Sequence, residues 1–313
     1  MHNVAKNNIN IILFIAIVMA MAILPIFMQS GYFLTILFSF FLYIILAQSW
    51  NIIGGYTGQM NIGFAIFFGL GAIITRIFWL NGIPFGVSFM AGGVIAAALG
   101  ALVGAITFRL RGHYFSIATL AMAMIARITV ANSMPRSSNL PPSLLANYSL
   151  VNCYYLALFV AVVIIILLYF LVNSRIGIGM KSVKENEEAA RATGINTFKI
   201  KIIANIISTF FCGLAGGLFT FFYVTHYLYE PFNLVWSFEP TLIVFIGGAG
   251  TIGGPIIGSL FFVIVKEIFA LTAGQAGVLI YGIAFIIVVL VMPGGLIQIF
   301  QRFKRPIVKA QGG

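Results

Sequence analysis

The sequence predicts an all-α, polytopic transmembrane protein with about ten membrane segments. Three observations predict it. Of 313 residues, 61% are hydrophobic and only 7% charged, where a soluble domain carries about 25% charged residues. The apolar runs are long and rich in Leu, Ile, Phe, Ala and Gly, unlike the alternating strands of an outer-membrane barrel. Charge gathers between these runs, above all in 173–201. A globule of this size cannot hide so much apolar surface, so lipid is its solvent. The whole chain, 1–313, reads as one membrane domain, with 173–201 a polar loop inside it and 300–313 a basic tail.

The predicted segments are 9–28, 33–53, 60–80, 85–108, 114–132, 152–172, 201–224, 236–248, 254–271 and 276–299, most of them near the length that crosses a 30 Å apolar core. The first follows Lys6 and contains Ala20-Met21-Ala22, which resembles a signal-peptide cleavage site. A run of about 20 apolar residues favours a retained helix. Segment 236–248 is short, and a re-entrant fold there or elsewhere lowers the count to eight or nine.

Charges orient the segments. Lys6, Arg109 and Arg111, the loop 173–201, and the tail with Arg302, Lys304, Arg305 and Lys309 all fall on one side of an even number of crossings. Basic loops collect in the cytoplasm, so both termini and the central loop are expected there. Arg136 is the main exception. The net charge of +11 is thereby explained by topology and gives no reason to expect nucleic acid. The longest outer connection, 133–150, is expected to be irregular because of Pro135, Pro141 and Pro142. It serves as a plain connector or as a landing surface for a substrate-delivering protein.

Two Gly-rich turns punctuate the chain. One carries Gly54, Gly55, Tyr56 and Gln59 and runs on to Asn61; the other carries Gly247, Gly248, Gly250 and Thr251. Their likeness hints at an internal duplication. Two readings fit them: helix breaks that line a substrate path, or tight helix packing.

Charges at membrane depth need a partner, water or a role. Arg76, Arg127, Lys266 and Glu267 lie in the outer parts of their segments and are expected to snorkel or form structural ion pairs. Glu239, ahead of Pro240, is the acid that suits the ammonium of a zwitterionic substrate. His113 and His226 read as interfacial hydrogen-bonders. Cys153 and Cys212 have no metal or disulfide spacing. No nucleophile elbow, zinc motif or Asp occurs, and no Gly-Lys dipeptide exists to form a P-loop. The chain is therefore expected to be no enzyme, with no metal or cofactor of its own.

The loop 173–201 holds Glu185, Glu187 and Glu188, three of the six acidic residues, with Arg175, Lys181, Lys184, Arg191, Lys199 and Lys201. Lys184 with Glu188, and Glu187 with Arg191, stand four apart, which predicts a short surface helix with both pairs on shared faces. Gly194 is its stop. A solvated loop is one reading of such charge. The order Glu188-Ala189-Ala190-x-x-x-Gly194 supports another, because it resembles the EAA loop of permease subunits in bacterial ABC importers. That resemblance implies that Lys184, Glu185, Glu187, Glu188, Ala189, Ala190, Arg191 and Gly194 dock into an ATP-binding subunit.

Other stretches resemble one branch of those permeases. They are Trp50-Asn51-x-x-Gly54-Gly55-Tyr56-Thr57-Gly58-Gln59, Asn61-x-Gly63-x-Ala65-x-Phe67-Phe68-Gly69-x-Gly71-Ala72, Arg109-Leu110-Arg111-Gly112-x-Tyr114-Phe115, Gly247-Gly248-x-Gly250-Thr251-x-x-Gly254-Pro255 and Met292-Pro293-Gly294-Gly295-Leu296. Together they are similar to the LivM-type permease subunit of high-affinity branched-chain amino acid ABC importers. The family signature commonly reads Ser-Leu-Gly-His where this chain has Asn61-Ile62-Gly63-Phe64. The resemblance implies a bacterial inner-membrane complex with a LivH-type sister permease, two ATP-binding subunits that hold ATP and Mg, and an extracytoplasmic amino-acid-binding protein. Related permeases carry urea, amides or other amino acids, and an ion-driven secondary transporter is the rival reading.

Overall fold

The computed structural model describes residues 2–27, 30–110, 112–134, 137–145, 148–273 and 295–297. Predicted segment 276–299, apart from 295–297, and the tail 300–313 lie outside the described residues, as do Arg111, Arg136 and 292–294.

The helices follow the predicted segments closely. They are α1 (His2–Phe27), α2 (Gly31–Trp50), α3 (Ala65–Leu80), α4 (Phe85–Thr107), α5 (His113–Ser133), α6 (Pro142–Leu145), α7 (Leu150–Val172), α8 (Arg175–Glu185), α9 (Glu187–Ala192), α10 (Thr197–Phe222), α11 (Val235–Gly247) and α12 (Gly253–Ala273). A π-helical segment, Asn51–Tyr56, extends α2 without a break. Among the described residues, five stretches are long and apolar enough to cross a membrane: Gly31–Tyr56, Phe85–Thr107, His113–Ser133, Leu150–Val172 and Thr197–Phe222. Ile15–Phe27, Ala65–Leu80 and Val235–Gly247 are shorter apolar helices.

The centre of the bundle is α10 packed on α3 and α4. Small residues make this possible. Gly92, Ala96, Gly100 and Gly104 recur every fourth residue along α4 and so share a face. On α10, a Cβ at Gly216 would lie 1.9 Å from the Phe68 carbonyl oxygen, so only glycine fits against α3 there. In lipid, helices gain little by hiding apolar surface from one another, and close van der Waals contact supplies the attraction instead.

Pro25 sits inside α1 and cannot donate to the carbonyl four residues back. The Tyr154 hydroxyl of α7 donates to that very oxygen, on Met21, at 2.6 Å. Tyr155 donates to the next one, on Ala22, at 3.0 Å. Two adjacent tyrosines thus repair the proline break and tie α1 to α7.

The connection 133–150 is more regular than its prolines predict. Strand β1 (Ser137–Asn139) pairs antiparallel with β2 (Thr225–Tyr227), Ser138 opposite His226. The partner strand lies nearly ninety residues away, so local composition could not signal it. Arg76 also departs from expectation. It does not snorkel: it is fully buried and donates to the carbonyls of Tyr223 and Val224, both at 2.9 Å, with His226 Nδ1 at 3.0 Å. These carbonyls follow the last turn of α10, where a cation is favoured by the helix dipole. Cys153 and Cys212 are buried free thiols.

Candidate functional site: the charged loop and the crossed glycine turns

The loop between α7 and α10 holds two helices where the sequence predicts one. Asn186 is extended (φ −158°, ψ 108°) and separates α8 from α9. Its Oδ1 accepts from the backbone N–H groups of Glu188 and Ala189, both at 3.0 Å. An Asn with that geometry is a strong helix start, and it overrides the Lys184–Glu188 spacing. Lys184 and Glu188 therefore lie on different helices and do not share a face. Glu187 and Arg191 do, 2.8 Å apart. The predicted stop holds as well: Gly194 has φ +85°, and the N–H of Ile195 donates to the Ala190 carbonyl at 3.0 Å. A left-handed residue just past the last turn is the usual glycine cap.

Glu187 is the electrostatic centre of the loop. It accepts from Lys201 Nζ at 2.5 Å, Arg191 at 2.8 Å and the Thr197 hydroxyl at 3.2 Å. Burial alone would raise its carboxyl, but the Lys201 ammonium, Thr197 and Arg191 outweigh that and hold it below its ordinary range. Glu187 thereby pins α9 to the start of α10. The outer face of α9 is left to Glu188, Ala189 and Arg191, which are exposed, while Ala190 packs inward. Beside it opens a cavity of about 380 Å³ lined by Gln59, Arg109, Glu187, Glu188, Arg191 and Lys201, among others. Gln59, predicted for a substrate path, lines this cavity beside α9.

The two glycine turns meet. Asn51 Oδ1 accepts from the Gly250 N–H at 2.9 Å, and Asn51 Nδ2 donates to the Thr251 carbonyl at 2.8 Å. Gln48 Nε2 donates to the Ile252 carbonyl at 2.7 Å. The backbones touch so closely that a Cβ at Gly55 would lie 2.8 Å from Gly250 N. Thr251 closes its own turn, with its hydroxyl donating to the Gly248 carbonyl at 2.8 Å and accepting from Gly254 N–H at 3.0 Å. Gly247 packs on Gly254 and Gly54 on the Trp50 ring. Tyr56 is buried, and Asn61 is held by Trp50 Nε1, which donates to its carbonyl at 2.9 Å.

Lys184 links this junction to the loop. A Cβ at Gly58 would lie 3.3 Å from Lys184 Cγ, and one at Gly250 would lie 3.1 Å from Lys184 Nζ. The last turn of α8 therefore rests on both glycine turns together. π-Helical segments such as Asn51–Tyr56 are uncommon and recur at functional sites. Here the wider turn aims Asn51 across to the second glycine turn.

Glu239 is set apart. It lies eight residues up α11 from Gly247, about 12 Å along the axis. Its two oxygens accept from Tyr43 OH and Lys266 Nζ, both at 2.8 Å. Lys266 also donates to Tyr43 OH at 2.7 Å. The acid expected to compensate a substrate ammonium is already compensated within the chain. Lys266 is its ion-pair partner, a pairing that joins α11 to α12. Gln48 was not foreseen, though a polar residue in an apolar run was the available signal.

A family model described as "branched-chain amino acid transport system / permease component" matches residues 32–292. The chain is 26% identical to the high-affinity branched-chain amino acid transport system permease protein LivM of Escherichia coli, over 96% of this chain and 77% of that one. It is 25% identical to the probable branched-chain amino acid transport permease protein LivM of Methanocaldococcus jannaschii, over 87% and 94%. A solved structure, PsaBC from Streptococcus pneumoniae in complex with Fab, is a distant likeness, with a TM-score of 0.44 and 15% identity over 86% of this chain and 94% of that one. With five helical stretches long and apolar enough to cross a membrane among the described residues, this is a multi-pass membrane protein, and by a match spanning most of its length it belongs to the family of permease components of branched-chain amino acid transport systems.

Proposed function

We propose that this chain is one of two permeases in an ATP-driven importer for branched-chain amino acids in the cytoplasmic membrane. Its α8–α9 loop and both termini face the cytoplasm, a LivH-type permease completes the path, and an extracytoplasmic binding protein delivers the substrate. ATP and Mg are bound by two separate subunits, in keeping with the lack of any Gly-Lys dipeptide here. The observation that carries the reading is Lys184, which sits in the last turn of α8, within the charged loop, and against both glycine turns at once. Closure of the ATP-binding subunits on ATP carries α8–α9 with them. Because Lys184 and Glu187 tie those helices to the glycine junction and to α10, the motion reaches the bundle and alternates access to a path near Gly54, Gly55, Tyr56 and Thr251. Such a change works only if the ligand binds the two states unequally.

The family match supports the transport system, and the names of the relatives support the substrate class. The test is purification of the complex from gently solubilised membranes, followed by leucine uptake in proteoliposomes. Two ATPases, a second permease and ATP-dependent uptake are expected. Glu188→Lys is expected to cut uptake more than tenfold while leaving the chain inserted. A homodimer without ATPases, driven by an ion gradient, would overturn the reading, and uptake of urea or amides alone would reassign the substrate.

A further inference from the structure

At the end of the bundle away from the α8–α9 loop, a cleft opens between α2, α10, α11 and α12. Tyr32 lies eighteen residues from Trp50 along α2, about 27 Å, and so far from the π-helical segment that meets the loop. The cleft has a volume of about 290 Å³, near the low end of the roughly 300–1,000 Å³ of small-molecule sites. Tyr32, Thr35, Ser39 and Tyr43 line it from α2. Steps of three and four place them on one helix face. A polar stripe on a membrane-spanning helix is tolerated where it faces water or protein.

The opposite wall carries charge of both signs. Lys266 uses two of its three ammonium protons on Tyr43 and Glu239, and its side chain remains 47% exposed. The third proton is available to an acceptor in the cleft. Glu267 accepts from the Tyr32 hydroxyl, and Glu230 also lines the cleft. Neither acid is in an ion pair among the described residues. Between these groups Phe38, Phe219 and Trp236 supply an aromatic wall.

We propose that this cleft is a transit site for a zwitterionic aliphatic amino acid, with Lys266 taking the carboxylate, Glu267 and Glu230 the ammonium, and the aromatic wall the side chain. The proposal rests on the importer reading and names where that substrate is held. Glu239 acts through Lys266 as a positioning residue: it fixes the ammonium that meets the ligand.

The test uses the assembled transporter in nanodiscs, with Ser39→Cys labelled by a cationic methanethiosulfonate reagent. Cys153 and Cys212 are buried and give little background. Labelling is expected to slow several-fold when leucine and the loaded binding protein are present. Glu267→Gln is expected to raise the KM for leucine about tenfold, equal to about 1.4 kcal/mol, with the maximal rate within a factor of about two. Glu267→Asp is expected to recover most of the loss. A labelling rate indifferent to leucine, or an unchanged KM in Glu267→Gln, would overturn the site while wild-type uptake still stands. Absence of ATP-dependent leucine uptake in the wild type would remove the importer reading and this proposal with it.

Discussion

The two ends of the bundle solve the same problem in opposite ways. At the α8–α9 end, the glycine turns meet backbone to backbone, joined by Asn51 and Gln48, with Lys184 laid over the contact. At the far end, long side chains do the joining: Arg76 reaches carbonyls beyond α10, and Lys266 reaches Glu239 and Tyr43 around an open cleft. Backbone contact leaves no room for rearrangement and transmits displacement. Side-chain networks reorganise by rotamer changes and leave room for a ligand. The stiff end thus suits a joint driven from outside, and the adjustable end suits a surface that must grip and release.

The sharpest way to break this contrast is Gly250→Val. Gly250 has φ +79°, and a Cβ there would lie 3.0 Å from the Gly55 carbonyl oxygen and 3.1 Å from Lys184 Nζ. Left-handed backbone alone costs an L-residue about 1–2 kcal/mol, and the crowding adds to it. Loss of uptake with a melting temperature lowered by several degrees is expected from transport assays and thermal unfolding in detergent. A variant with full activity would remove the stiff joint from the account. Asn51→Ala comes next. It deletes two hydrogen bonds across the junction, costing about 1–3 kcal/mol, and is expected to leave ATPase activity running while uptake falls, measured as molecules carried per ATP.

At the adjustable end, Lys266→Met leaves the buried Glu239 carboxylate with the Tyr43 hydroxyl as its hydrogen-bond donor among the described residues. Because the Lys266 side chain is 47% exposed, the expected loss is modest, about 1–2 kcal/mol. The double variant Lys266→Met, Glu239→Gln should recover part of it, and a double-mutant cycle in chemical unfolding measures the coupling.

Acid sharpens the comparison with smaller effects. Burial, then the Arg76 charge, push His226 down from 6.5 to about 4, against the pull of the Tyr223 carbonyl. The unfolded chain therefore binds a proton below pH 6.5 that the folded chain refuses until about pH 4, so stability falls as pH drops through that window. His226→Gln should flatten the decline in a melting-temperature series. Glu187 acts at lower pH. Its lowered carboxyl contributes stability above the ordinary value of 4.5, lost as pH falls through the lower folded value. Glu187→Gln should be less stable at neutral pH and lose less on acidification. The two ends should therefore fail in order, the His226 end first.

Much of this was written locally in the chain. Apolar run lengths marked α2, α3, α4, α5, α7, α10, α11 and α12 within a few residues, and α1 except for its start, since burying backbone in lipid leaves few alternatives to a helix. Concentrated charge marked the loop, and Gly194 marked its stop. The break at Asn186 was legible in kind, because Asn is a favoured helix start, but the competing charge spacing pointed to one helix.

What the sequence by itself determined is therefore the helical membrane class, the position of most apolar helices, the polar loop and the identity of the two glycine turns. All of these rest on composition and on interactions a few residues apart. Only the tertiary structure decided that the turns cross, that Lys184 covers them, that Gln59 faces the loop cavity, that Arg76 is buried and that Glu239 belongs to Lys266. Asn51 and Gly250 stand 199 positions apart, and no local pattern specifies a contact at that separation. It arises because glycine-rich faces let helices approach until those particular backbones meet.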